Sequence, residues 1–309
     1  TARLLGSYAA GISDDLLTAT LLATRAPVLV CPAMHTEMWE HPAVQDNLRT
    51  LAQRGVHILP PEQGRLAGGD VGAGRLADPA AIIAAIERVL TPPDMTGLKV
   101  IVTAGGTREP IDAVRVITNR SSGKQGYAIA EEAVARGADV VLVSTVDRPP
   151  PPGVELIRVS SAADMEAVVV PRAEASDVVV MAAAVADFRP VDPSDRKIKK
   201  GATVPQIVLE PTHDFLVDLG RAKRPGQVLV GFAAETDDLL ANAQGKLERK
   251  RLDLIVANDV SAPGVGFEHD TNQVVILTAA GTQIEVPLTD KRAVARAVLD
   301  AVNHLRSNT

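Results

Sequence analysis

Val179–Ala184 contains no polar side chain. A strand with no polar face must be covered on both sides, which places it at the centre of a sheet with a layer above and below. Further apolar runs lie at Val100–Thr103, Val140–Ser144, Val178–Met181, Val228–Phe232 and Leu254–Ala257, with helical patterns near Gly123–Arg136 and Ala162–Ala175. Strands alternating with helices predict an α/β fold with a mostly parallel sheet. Gln273–Thr278 and Thr282–Pro287, joined by Ala-Ala-Gly, predict a hairpin, and Leu288–Leu305 a closing helix. Upstream, Asp14–Arg25 reads as a helix with Leu16, Leu17, Thr20, Leu21 and Leu22 as its buried stripe. Pro27–Cys31 and Val56–Leu59 read as strands, Pro42–Arg54 (closed by Gly55) and Pro79–Leu90 as helices, and Gly64–Gly74 as mobile or packed on a ligand. Thr91–Gly97 is rich in Pro and Gly and marks a boundary. It gives a first domain over 1–92, a linker over 93–97 and a second domain over 98–309.

Composition narrows the function. A chain of 309 residues exceeds one ordinary core, so two domains are expected. The net charge of −6 argues against a general nucleic-acid or membrane-surface binder, and 2% aromatic residues argue against base stacking. Cys31, the one cysteine, excludes an internal disulfide and a multi-cysteine metal site, and fits a reducing cytoplasm. No apolar run approaches the ~20 residues that span a bilayer. The first residues carry no initiator Met and read as mid-domain sequence, as in a fragment.

The chemistry concentrates after the first strand of the second domain. Gly105-Gly106-Thr107 follows an apolar run, a charged insert holds Glu109, Asp112 and Arg115, and Asn119-Arg120-Ser121-Ser122-Gly123-Lys124 precedes a helical pattern. A Gly-rich turn admits a phosphate to backbone N–H groups, and a helix N-terminus adds unpaired donors. Neither a Walker A spacing nor a G-x-G-x-x-G turn joining strand directly to helix is present, so on motif grounds a long surface loop is an equal reading. Ala182, Ala183 and Ala184 leave room for a flat ligand, and Asp187 can accept from a ribose hydroxyl or cap the turn before Pro190. Lys197-Ile-Lys-Lys200 is a basic cluster, either a phosphate partner or solvated charge. Phe232 can cover a base or fill the core. Lys246 and Lys250, at i and i+4, share a helix face suited to a polyphosphate or to solvent.

Taken together, Gly105–Arg115, Asn119–Lys124, Ala182–Pro190, Lys197–Lys200, Gly231–Thr236 and Leu252–Val260 make residues 98–309 resemble the phosphopantothenate–cysteine ligase half of bifunctional coenzyme A biosynthesis proteins. Pro32–Trp39 and Gly69–Arg75 make residues 1–92 resemble the C-terminal part of the flavin-dependent decarboxylase half. The resemblance implies a Rossmann-like ligase domain preceded by part of a flavodoxin-like flavoprotein domain. It implies that CTP, with Mg2+, activates 4'-phosphopantothenate as an acyl-cytidylate and that the amine of L-cysteine displaces CMP. In the family pattern Lys197 and Asn119 take the catalytic positions. Ala182, Ala183, Ala184, Asp187, Lys197, Thr212, His213, Asp214, Phe215, Phe232, Lys246 and Lys250 take the CTP positions. Gly105, Gly106, Ser121, Ser122, Gly123 and Lys124 form a phosphate loop, and no residue is a direct metal ligand. A homodimer through the ligase domain, and a higher oligomer in the full-length parent, are implied.

The first domain departs from its pattern. The usual asparagine after Pro-Ala-Met34 is His35, the flap cysteine falls at Gly68, and the N-terminal half with much of the FMN site is absent. The chain alone is therefore expected not to decarboxylate, although its full-length parent is. Two other readings remain open at this stage. One makes the first domain a non-catalytic flavin-binding or assembly module. The other, an NAD-dependent oxidoreductase, is disfavoured by the missing glycine fingerprint.

Overall fold

The computed structural model describes residues 1–66, 68–69, 71–199, 206–235, 238–259 and 269–307. They form two compact units, Thr1–Pro92 and Pro93–Thr309. No helix among the described residues is long and apolar enough to cross a membrane.

The first unit packs helices Ala2–Ala10 and Pro42–Gln53 around Leu5, Ala9, Val44, Leu48, Leu51 and Val56. A parallel strand pair joins Leu29–Val30 to His57–Ile58, and Glu62–Arg65 pairs with Val71–Arg75 as a hairpin, giving an ordered frame to much of the Gly-rich segment. The helix expected over Asp14–Arg25 runs from Leu16 to Ala23 and opens with a capping box between Asp15 and Thr18. Its buried stripe is not there: Leu16 is 85% and Leu17 55% exposed, and Thr18 is the residue turned inward. Apolar residues run around the whole of this short helix, so the pattern named no inner face.

In the second unit, strands β1 (Lys99–Ala104), β2 (Asp139–Ser144), β3 (Glu155–Arg158), β4 (Val178–Met181), β5 (Val228–Glu235), β6 (Leu254–Asp259), β7 (Thr271–Thr278) and β8 (Gln283–Asp290) form one sheet. Their spatial order is β8-β7-β6-β5-β4-β1-β2-β3. The first six are parallel, and β7 and β8 return antiparallel. Helices α1 (Lys124–Ala135) and α5 (Lys291–Ser307) cover one face, and α2 (Ala162–Ala173), α3 (Phe215–Ala222) and α4 (Leu239–Arg249) the other.

β4 is the central apolar strand the sequence predicts, and all four of its residues are buried. Because side chains alternate along a strand, Val178 and Val180 enter the core with Ile129 and Val298, while Val179 and Met181 enter the core with Met165 and Phe215. The closing helix starts at Lys291 rather than Leu288. β8 runs to Asp290, whose carboxylate accepts the N–H groups of Arg292 and Ala293 at 2.9 Å each and so fixes the helix start. The stretch between β4 and β5, without regular structure in the sequence reading, contains α3 and the pair Phe188–Pro190 with Leu209–Pro211.

The parallel strands follow the order 3-2-1-4-5-6. Connections therefore leave β1 toward one side and β4 toward the other, and a crevice opens at their C-terminal ends, where doubly wound sheets bind ligands.

Candidate active site

The two strands at the crevice stay joined beyond the sheet. Ala184 donates to the Gly105 carbonyl at 2.8 Å, and Thr107 donates to the Ala184 carbonyl at 3.2 Å. The Thr103 hydroxyl accepts from Ala183 at 3.0 Å and the Thr107 hydroxyl from Ala186 at 2.9 Å. The N–H groups of Ala183 and Ala184 are thus already engaged. Gly105 sits at φ 90°, and a Cβ on Gly106 would stand 2.3 Å from the Asn119 carbonyl oxygen. That approach seats Asn119 beside the strand ends, where its amide donates to the Val185 carbonyl at 3.1 Å.

A cavity of about 410 Å³ opens there, lined by Asn119, Asp187, Thr212, Phe232, Lys246 and Lys250 among others. Asp187 is exposed, and its carbonyl accepts from the Thr212 N–H at 2.8 Å. The Thr212 hydroxyl oxygen is buried without a hydrogen-bond partner among the described residues. Asp214 holds the Lys250 ammonium at 2.8 Å, and that lysine side chain is 18% exposed. Lys250 lies just beyond the last turn of α4, as its C-cap, rather than within the helix. Phe215 is buried in the core, so it contributes backbone and apolar backing. His213 lies between Glu166 and Asp218, each at 2.9 Å. Arg120 and Arg249 line the same cavity and were not singled out as site residues in the sequence. Arg120 carried a signal, as the neighbour of Asn119, and Arg249 was masked by its place on a charged helix.

A second cavity, of about 100 Å³, lies at the start of α1 and is lined by Ser121, Ser122, Gly123 and Lys124. Gly123 is the N-cap, at φ 71°, and no side chain caps the helix, an arrangement that suits an anion at its first turn. Lys124 pairs with Asp270 at 2.6 Å. Lys291, 7% exposed, also lines this cavity; burial first, then the nearby Lys124 charge, pushes its ammonium below the ordinary lysine value. No local motif identifies Lys291, because only tertiary packing brings it beside Gln125, whose side-chain amide donates to its carbonyl at 3.0 Å. Ala182, Ala183, Ala184 and Phe232 line the small cavity, and all but Ala182 also line the large one, forming a wall between the two.

Lys197 is exposed and lines neither cavity. Its loop is stapled by Asp112, whose side chain is fully buried. Asp112 accepts from the N–H groups of Val114 and Arg115 at 2.8 Å each and from Ile198 at 3.0 Å, while Arg115 donates to the Ile198 carbonyl at 2.9 Å. The Arg115 guanidinium holds the Asp112 carboxyl well below the usual carboxylate range. Glu109, from the same insert, accepts the Ala162 N–H at 2.9 Å and fastens the start of α2. Lys199 is exposed, and Lys200, Thr236 and Val260 lie outside the described residues.

In the first unit, Met34 donates to the Gly74 carbonyl at 2.9 Å, and a Cβ on Gly74 would meet the Met34 oxygen at 2.0 Å. His35 Nδ1 lies 3.2 Å from the Glu37 carboxylate. Cys31 is a free thiol, raised in pKa by burial, and Gly68 lies in a turn. Asp70 lies outside the described residues.

A doubly wound sheet with a lysine-lined cavity and a helix N-terminus at its switch point define a Rossmann-like α/β domain. Residues 95–305 match the family model for the DNA/pantothenate metabolism flavoprotein C-terminal domain, and residues 1–91 match the model named Flavoprotein. The Coenzyme A biosynthesis bifunctional protein CoaBC of Mycobacterium bovis is 49% identical, over 98% of this chain and 76% of that protein. A Cysteine/Cysteine sulfinic acid decarboxylase from an unknown prokaryotic organism is 43% identical, over 97% of this chain and 85% of that protein. The crystal structure of the C-terminal domain of a CoaBC protein superposes with a TM-score of 0.61 at 40% identity, covering 70% of this chain and all of that domain. The chain belongs to the family of bifunctional coenzyme A biosynthesis enzymes.

Proposed function

We propose that the second unit is the phosphopantothenate–cysteine ligase of this pair and that CTP is its nucleotide. The supporting observation is the paired cavity. The larger chamber offers cationic side chains to a nucleoside triphosphate, and the smaller offers a helix N-terminus to a phosphomonoester. The wall of Ala183, Ala184 and Phe232 between them is where a carboxylate on the phosphomonoester's arm meets the nucleotide α-phosphate.

In this reading a carboxylate oxygen of 4'-phosphopantothenate attacks the α-phosphorus and pyrophosphate leaves. The cysteine amine then attacks the acyl carbon, CMP leaves with the bonding electrons of the C–O bond, and the amine loses a proton. Lys246 and Lys250 neutralise the departing pyrophosphate, and Asn119 orients the acyl group by its amide. Lys197 stabilises charge gathering on the α-phosphate. It reaches that position by movement of its stapled loop or from a second copy of the chain, which is the reason for proposing a homodimer. Mg2+ enters on the triphosphate as part of the substrate.

The first unit is assigned to decarboxylation of the ligase product, with FMN as the cofactor its family would use. FMN is proposed from the match of residues 1–91 to the family model named Flavoprotein.

Pyrophosphate release by the full chain with CTP, Mg2+ and 4'-phosphopantothenate is the test, with product formation on adding cysteine. Lys197→Ala abolishes pyrophosphate release with the melting curve unchanged, whereas Asn119→Asp impairs amine transfer more than activation. CO2 release from free cysteine without pyrophosphate release favours instead an activity like that named for the decarboxylase relative.

A further inference from the structure

His213 sits at the rim of the larger cavity between two carboxylates on different helices. Its Nδ1 is 2.9 Å from Glu166 on α2, and its Nε2 is 2.9 Å from Asp218 on α3. A doubly protonated ring donates to both, whereas a neutral ring has one N–H and turns a lone pair toward the other carboxylate. The bridge therefore closes only in the imidazolium form.

What the bridge closes over is the nucleotide segment. The Thr212 N–H holds the Asp187 carbonyl at 2.8 Å, and Asp214 holds the Lys250 ammonium at 2.8 Å, so the residues flanking His213 connect two walls of the cavity. Arg221 on α3, 3.6 Å from Asp218, draws on the same carboxylate and leaves Glu166 as the stronger partner, while Lys246, Arg249 and the Asp214–Lys250 pair are the charged groups that share the cavity wall with His213. We infer that His213 is a positioning residue whose imidazolium form holds Thr212–Asp214 in nucleotide-binding geometry, making nucleotide affinity depend on pH. The inference rests on the proposed nucleotide site.

The Glu166 hydrogen bond and charge, and then Asp218, raise the pKa of His213 above its ordinary value. With a raised folded value the bridge is complete below the ordinary histidine pKa and is lost as pH climbs through the folded value. Binding and protonation are linked, so a nucleotide that favours the closed bridge must itself raise the His213 pKa, tenfold in affinity corresponding to about one pKa unit.

The experiment measures the CTP dissociation constant of the full chain from pH 6 to 8.5, for wild type, His213→Gln and Glu166→Gln, with an NMR titration of the histidine ring protons with and without CTP. The His213 resonance is the one missing from His213→Gln. The inference expects wild-type affinity to weaken by about threefold to tenfold more than that of His213→Gln across the range, and CTP to raise the His213 pKa by the matching ~0.5–1 unit. Glu166→Gln should lower that pKa and move the affinity profile to lower pH. If CTP binds wild type and His213→Gln with the same pH profile, the inference is overturned while the nucleotide reading stands. If CTP binds wild type at no pH, both fall.

Discussion

Gly106→Ala tests the route from fold to chemistry at a single carbon. The added Cβ would stand 2.3 Å from the Asn119 carbonyl oxygen, whereas ordinary contact begins at 3.4 Å, so Asn119 must withdraw by about 1 Å. Gly106 does not occupy the left-handed backbone region, so the clash is the whole effect. Overpacking of this kind costs about 1–3 kcal/mol, which lowers the melting midpoint of a unit this size by about 2–4 °C for each kcal/mol. A displacement of ~1 Å at a reacting group costs on the order of 10²-fold in rate. The expected result is therefore a modest fall in melting temperature and a loss of about 10²-fold in ligation, read by pyrophosphate and product assays. Gly245→Ala is the control. Gly245 lies in α4 with nothing within 4 Å of a Cβ, so alanine should stabilise by about 1 kcal/mol through helix propensity. Wild-type melting and turnover in Gly106→Ala, or equal behaviour of the two variants, would refute the reasoning.

Other outcomes follow from the packing. Glu132, with a fully buried side chain, faces Arg136 at 3.2 Å and Arg296 at 3.6 Å, and Arg136 also pairs with Asp300 at 2.6 Å and Asp94 at 3.6 Å, so Glu132→Ala removes one of three carboxylates around a buried guanidinium. Thermal unfolding should register a cost of about 1–3 kcal/mol, and no measurable loss would mean that the remaining carboxylates and solvent replace Glu132. Asp112 has a depressed carboxyl pKa, so its staple contributes fully above the ordinary carboxylate value and is lost as pH falls toward the lower folded value. The protection of the Ile198 amide, its intrinsic exchange rate divided by the observed rate at the same pH, should therefore fall on acidification in wild type, and Asp112→Asn should show low protection already at neutral pH. Glu109→Ala removes an anchor from the start of α2 and should lower stability by about 1 kcal/mol, seen as a shifted denaturant midpoint.

The residues that were legible early share one property: their signal is local. β4 could be placed from its own side chains, since an unbroken apolar run has no wet face to offer. Gly105, Gly106, Asn119 and Gly123 could be found because a strand, a turn and a helix start follow one another along the chain. The Leu16–Leu22 stripe misled because an apolar helix with no polar side does not say which way it faces.

The sequence by itself thus determined the parallel sheet, its central strand, the phosphate-loop candidates and the family, because each rests on short-range periodicity or on residues in fixed order. The tertiary structure decided the rest. It placed Lys291 beside Gln125, set Asp214 against Lys250, closed His213 between Glu166 and Asp218, and left Lys197 outside both cavities. Apart from the His213–Asp218 contact, those relations join residues far apart in the chain, where charge and hydrogen-bond partners are chosen by how helices dock on the sheet, and no local pattern encodes that choice.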